Sequence, residues 1–122
     1  MPDALPGNAI VLRRTPKSQM GNRGVFTPNA NDTNGLSVYL ESESLTPFTL
    51  RHQANDPDKF CVVWLRVSEL NDLGLTVIPD DDPNNPGHCL IPEFTLDAYK
   101  SDKTRWVKIQ TQLLGIVQDR YV

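Results

Sequence analysis

Apolar and polar positions along this chain change period several times, and each change marks an element. Ala9-Ile-Val-Leu12 is a short β-branched apolar run closed by Arg13-Arg14, which predicts a first strand over 9–12. Leu36-Ser-Val-Tyr-Leu40 alternates strictly, with Leu36, Val38 and Leu40 on one side and Ser37 and Tyr39 on the other. That is the period of a half-buried strand. Phe60-Cys-Val-Val-Trp-Leu65 is apolar at every position, as expected of a central strand covered on both faces. Leu75-Thr-Val-Ile78 and His88-Cys-Leu-Ile91 predict two more strands. The turn residues of 80–87 lie between them, so the pair reads as a hairpin.

Helical periodicity is clearest near the C-terminus. Trp106, Ile109, Leu113, Ile116 and Val117 recur at helical spacing, supported by Val107 and Leu114. They predict an amphipathic helix over about 102–119, with Ser101 as its N-cap and Asp102 at the positive end of its dipole. Gly115 within it either lowers helix propensity or admits another backbone at close range. Thr46-Pro47 offers a cap followed by proline at the first helical position, which starts a short helix through about His52. The turn 55–58 ends it. Ser68 to Gly74 reads as one or two helical turns, capped by Ser68 and stopped by Gly74. Residues 15–35 carry Gly21, Gly24, Pro28, Gly35 and four asparagines, which is loop chemistry. Val25-Phe26 is the one apolar step there and is expected to pair briefly with a strand. So long a loop inside a compact domain is either mobile or functional.

These elements add up to an α+β fold. A single small mixed or antiparallel sheet is expected, with the C-terminal amphipathic helix packed on it. At 122 residues the chain reads as one globular domain, 1–122, burying roughly two-thirds of its unfolded surface. The apolar run 60–65 is far too short to cross a bilayer, and the first ten residues do not read as a secretory signal. Membrane partnership is therefore not expected, and the location is expected to be cytoplasmic. Cys61 and Cys89 each sit in a strand-like segment and read as buried free thiols. With His52 and His88 they lack the short paired spacings of a zinc site, so no metal and no cofactor are expected.

Charge sharpens the picture. The formal net charge is −3, yet residues 1–28 hold four bases against one acid and 98–122 hold five against two, while 29–97 hold three bases against twelve acids. Basic ends lying across an acidic middle would partly neutralise it, and the same asymmetry can dock a charged partner. Nucleic acid is disfavoured, because the basic total is low and no aromatic residues interleave with bases as a stacking platform.

Candidate chemistry is sparse. Asp80, Asp82 and Asn84 match the first three alternating positions of a calcium loop, but Asn85 stands at the turn glycine and Ile91 at the bidentate glutamate. The stretch is therefore read as a solvated turn. His88 is a candidate general base beside Asp80 or Asp82, and as a strand neighbour of Cys89 it points to the opposite face. No nucleophile is marked, since Ser37 and Ser42 lack the glycine-framed elbow of a hydrolase. Arg13 and Arg14 alternate sides at a strand end, and Arg14 with Arg23 is a candidate anion clamp. As anchors of an interface the residue types favour Arg14, Arg23, Phe26, Tyr39 and Trp106.

Taken in order, Arg13-Arg14, a polar loop, Leu36-Ser-Val-Tyr, Leu73-Gly-Leu-Thr-Val and an Asp-Asn-Pro stretch ending in His88-Cys-Leu-Ile resemble a family of small bacterial proteins of unknown function. The resemblance implies a bacterial or phage-like origin and an accessory role in a multi-gene system. It supplies neither an activity nor catalytic residues, and the last helix is not part of it. Two functions are carried forward. The first is a non-enzymatic protein-interaction domain, an accessory subunit docking on another protein. The second is a small hydrolase or nucleotide- or nucleic-acid-processing enzyme using His88, Asp80 and Asp82.

Overall fold

A computed structural model describes residues 5–19, 22–28, 30, 32–80 and 82–121, with the backbone alone at 23 and 119–121. Six strands form one sheet: β1 (Ile10–Pro16), β2 (Leu36–Leu40), β3 (Phe60–Arg66), β4 (Ile78–Pro79), β5 (His88–Ile91) and β6 (Asp119–Tyr121), in the order β4-β5-β2-β1-β3-β6. Every neighbouring pair is antiparallel. Four α-helices accompany it: α1 (Pro47–His52), α2 (Val67–Asp72), α3 (Leu96–Ser101) and α4 (Lys103–Ile116). The α+β class and the helix packed on the sheet are as the periodicity predicts, and the sheet is purely antiparallel.

Register sorts the residues into two faces. Leu12 stands opposite both Tyr39 and Trp64, and Tyr39 opposite His88, so these four lie in one row on one face. That face buries Leu12 and Val62 under Leu45 and Leu50 of the α1 region. The other face buries Val11, Val63, Leu65, Leu36, Val38 and Ile91 beneath Phe94 and the Trp106, Ile109 and Leu113 row of α4. Phe94 and Trp106 stack with centroids 4.4 Å apart, worth about 1 kcal/mol beyond their burial. β3 is covered on both faces as expected, but the central strands are β1 and β2.

Local signals hold at several ends. Thr46 caps α1, its hydroxyl accepting from Thr49 N, with Pro47 in the first turn. Gly74 stops α2 at φ +81°, where Leu75 N bonds to Leu70 O and Gly74 N to Asn71 O. This is the paired bonding of a left-handed helix stop.

Other expectations need correction. The first strand runs on to Pro16, because β3 offers it partners as far as Phe60. Ser68 does not cap α2, which starts at Val67 after Arg66 with no side-chain cap. Residues 75–77 lie outside the ladder, and β4 is only Ile78–Pro79. The C-terminal helix is two helices. Ser101 ends α3 and bonds back to Asp97 O, while Asp102 caps α4 by accepting from Arg105 N. α4 stops at Ile116, where Val117 turns extended and Gln118 N bonds to Trp64 O, bringing β6 beside β3. Gly115 is exposed with open space around it, so no backbone approaches there.

The long loop is packed. Val25 and Phe26 do not pair with a strand; they form a 3₁₀ turn over 23–26 whose two apolar side chains are fully buried. Two polar side chains fasten it. Arg13, only 8% exposed, donates from Nε to Val25 O (2.6 Å), from Nη1 to Ser37 O (2.7 Å) and from Nη2 to Thr27 O (3.3 Å). Gln110 of α4 donates from Nε2 to Phe26 O and Thr27 Oγ1. The segment thus closes its carbonyls on side chains instead of a ladder. At its end Gly35 has φ +140°, and a Cβ there would stand 2.5 Å from Ile91 O. Only glycine lets β2 begin so close to β5.

Candidate functional site

The pairing of β2 with β5 gathers polar groups that lie far apart in the chain. Ser37 and Tyr39 form the polar side of β2, and His88 opens β5 directly opposite Tyr39. His88 Nδ1 lies 2.7 Å from Asp80 Oδ2, and its Nε2 lies 3.0 Å from Ser37 Oγ. Ser37 Oγ in turn donates to Asp32 Oδ1 at 3.0 Å. The result is a chain, Asp32–Ser37–His88–Asp80, running from a carboxylate that is 1% exposed to one at the surface. The Tyr39 ring sits 5.3 Å from the imidazole, and Asn85 Nδ2 donates to the Tyr39 hydroxyl.

Connectivity alone resembles a serine–histidine–aspartate triad, so the protons decide what it can do. The Ser37 hydroxyl has one proton. If that proton goes to an ionised Asp32, His88 must donate to Ser37 and, through Nδ1, to Asp80, so the ring carries both protons. In the alternative Asp32 holds a proton, Ser37 donates to Nε2, and the triad arrangement results. Both states contain the same number of protons. The charge of Asp32 offsets part of the burial cost of the Arg13 guanidinium, which burial lowers to about 10. With the Ser37 hydroxyl donating to Asp32, its oxygen is left to accept from His88 Nε2 rather than to attack.

Access is limited. The His88 side chain is 12% exposed. A shallow hollow of about 240 Å³ touches it, lined also by Asp82, Asn85 and the Leu40, Gly87 and Cys89 positions, and Ser37 does not line it. A neighbouring hollow of about 410 Å³ is walled by Ser42, Ser44, Gln53, Asn84 and Asn85. Cys89 offers no thiolate, since burial pushes its thiol up to about 11.

The sequence-predicted residues are distributed as follows. His88 and Asp80 are brought together. Asp82 is not joined to them; its Oδ1 accepts from Asn84 N within an exposed turn. Asp81 lies outside the described residues. No group of three or more histidine, cysteine, aspartate or glutamate side chains converges among the described residues. Cys61 and Cys89 are both buried.

Of the interface candidates, Phe26 and Trp106 are core residues with almost no exposed surface. Tyr39 is half-buried against His88. Arg14 lies on the face opposite Arg13, donates to Leu50 O at 2.9 Å and rests over the Phe60 ring. It secures α1 to the sheet. The Arg23 side chain is outside the described residues, so the anion clamp with Arg14 has only one placed member. Among the described residues the large apolar side chain that does reach solvent is Phe48, 54% exposed and stacked on His52.

Sequence reading missed Ser37 and Asp32 as partners of His88. The signal available was weak: Ser37 and Tyr39 alternate on the polar side of β2, but nothing local says which strand they will face. No helix among the described residues is long and apolar enough to cross a membrane. Compared with known proteins, the chain matches no family, no curated protein and no solved structure.

Proposed function

We propose that this chain is a protein-interaction domain, a non-catalytic accessory subunit that docks on another protein through charge. The observation that carries the reading is the separation of charge across the sheet. α4 covers one face and holds Lys103, Arg105 and Lys108 with no acid in its fourteen residues. The opposite face is covered by Leu45 and α1, and the segments flanking them carry Glu41, Glu43, Asp56 and Asp58. Within the acidic set Asp58 pairs with Arg51 and Asp56 with Lys59, so its surplus is Glu41 and Glu43, while the α4 cations have no carboxylate partner among the described residues and keep their field toward solvent. The closed hydrogen bonding around His88 supports the same reading, since neither ring nitrogen is left for a substrate.

The test is affinity capture of the tagged chain from its source cells, identified by mass spectrometry, with recombinant reconstitution of whatever co-purifies. A defined partner recovered near one-to-one and rebinding in purified form supports the domain as a subunit. Recovery of the bare chain alone, at low and at moderate salt, counts against it.

A second reading keeps the Ser37–His88–Asp80 series as a hydrolytic triad. It is favoured by the two bonds in sequence, at 3.0 and 2.7 Å. In that reading Ser37 Oγ attacks an ester carbonyl, its proton passes to His88 Nε2 and then to the leaving alkoxide, and water releases the acyl group. A fluorophosphonate probe decides it: labelling at Ser37 that is lost in His88→Gln establishes the nucleophile, and an unlabelled folded protein removes it.

A further inference from the structure

We infer that the outward face of α4 is the docking surface and that its occupant is an acidic segment of the partner protein. This rests on the interaction reading above and names the chemistry of that contact.

The face carries its bases without carboxylate partners among the described residues. An exposed lysine or arginine on a helix can pair with a carboxylate one turn away, which offsets part of its charge. None of Lys103, Arg105 and Lys108 forms a salt bridge to a described residue. Two of them are held by rings instead. The Arg105 guanidinium lies 5.0 Å from the centre of the Trp106 ring, and the Lys103 ammonium 5.8 Å from that of Tyr99. A ring positions a cation without cancelling its charge. Trp106 is itself locked in the core by Phe94, so Arg105 rests on a rigid platform. Less side-chain freedom is therefore lost when an anion binds. The remaining outward positions, Thr104, Thr111 and Gln112, are exposed uncharged hydrogen-bonding groups suited to the rim of such a contact.

Charge complementarity selects the occupant. Three cations within the first two turns of the helix, about 8 Å along its axis, and paired with no carboxylate among the described residues, match a short run of aspartate and glutamate. A nucleic-acid duplex fits less well. It is bound through several more phosphate contacts than three cations provide, and Asp97 and Asp102 at the entry to the helix, with the acidic middle of the chain behind, repel a polyanion that overruns the patch.

The experiment uses the whole chain and a fluorescein-labelled fourteen-residue glutamate-rich peptide, read by anisotropy, with its glutamine counterpart and a duplex oligonucleotide of equal charge as comparisons. The acidic peptide should bind, weaken by about tenfold between low and physiological salt, and be lost in Lys103→Glu/Arg105→Glu/Lys108→Glu. Arg105→Lys, which keeps the charge but not the planar stack, should weaken it severalfold. Circular dichroism and thermal midpoint check that each variant is folded. Should the triple variant not fold, the single change Lys108→Glu gives the same reading. Equal binding of the glutamine peptide, no binding of the acidic one, or tighter binding of the oligonucleotide overturns the proposal. A partner that rebinds wild type and triple variant equally overturns this surface while leaving the interaction domain standing. Absence of any partner overturns the interaction reading itself.

Discussion

Gln110, on the last helix, donates its side-chain amide to the carbonyl oxygen of Phe26, eighty-four residues earlier, at 3.1 Å. Both groups are buried, and the same amide reaches Thr27 Oγ1. A helix and a loop are thereby joined through a polar contact in the core. Gln110→Leu leaves the Phe26 carbonyl and the Thr27 hydroxyl without this donor. The expected cost is about 2 kcal/mol, read as a lower urea midpoint at unchanged slope.

Arg13 fastens the same segment from the sheet side. Arg13→Met removes the donors of the Val25, Thr27 and Ser37 carbonyls and leaves Asp32 without its nearby cation. A loss of about 3 kcal/mol is expected. Arg13→Lys recovers less than half of it, because an ammonium cannot reach three carbonyls fixed around a planar fork. Amide exchange at Val25 and Thr27, whose N–H groups close the 3₁₀ turn on Asn22 and Gly24, should accelerate before that of β1 and β3.

Trp64 Nε1 is the buried side-chain polar atom that has no hydrogen-bond partner among the described residues. Among the described side chains this donor, desolvated on folding, receives nothing in return. Trp64→Phe removes the donor and keeps most of the apolar area. Denaturation should show stability between unchanged and about 1 kcal/mol higher. A clear destabilisation would mean that the indole bulk itself matters more than the orphaned N–H.

Burial disfavours the Cys89 thiolate and pushes the thiol up from its ordinary 9.0 to about 11. The folded state therefore holds this proton more tightly than the unfolded chain. Its contribution is full below about pH 9 and is lost as pH rises through about 11. Urea titrations of wild type and Cys89→Ala from pH 8 to 11 should show the wild type losing stability relative to the variant, by at most about 2 kcal/mol. Parallel curves would place the thiol in a wetter site than its burial indicates. At neutral pH the thiol should resist disulfide reagents until the protein unfolds.

Several elements were written in local sequence because local chemistry decides them. β2 over 36–40, β5 over 88–91 and α1 with its Thr46 cap are set by alternation within five residues or by a side chain bonding three residues on. The amphipathic stripe of α4 likewise declares the face it buries, and Trp106, Ile109 and Leu113 follow it. The α+β class follows from these periods together. The unneutralised charge of the last helix was visible as a surplus of bases beyond residue 98.

What only the tertiary structure decided is which distant groups meet. β6 is three residues, Asp-Arg-Tyr, without an apolar period; it is a strand because the edge of β3 is there to pair it. Phe26 belongs to a segment that looks exposed by composition, yet lies in the core because Arg13 and Gln110 bond the loop between sheet and helix. Ser37 meets His88 only through the β2–β5 register, and Asp32 joins them only because the loop folds back over β2. The reason is physical: hydrophobic period and capping are short-range and repeat along the chain, whereas strand order and side-chain convergence depend on burying all the apolar faces at once. That requirement has no signature at any single position.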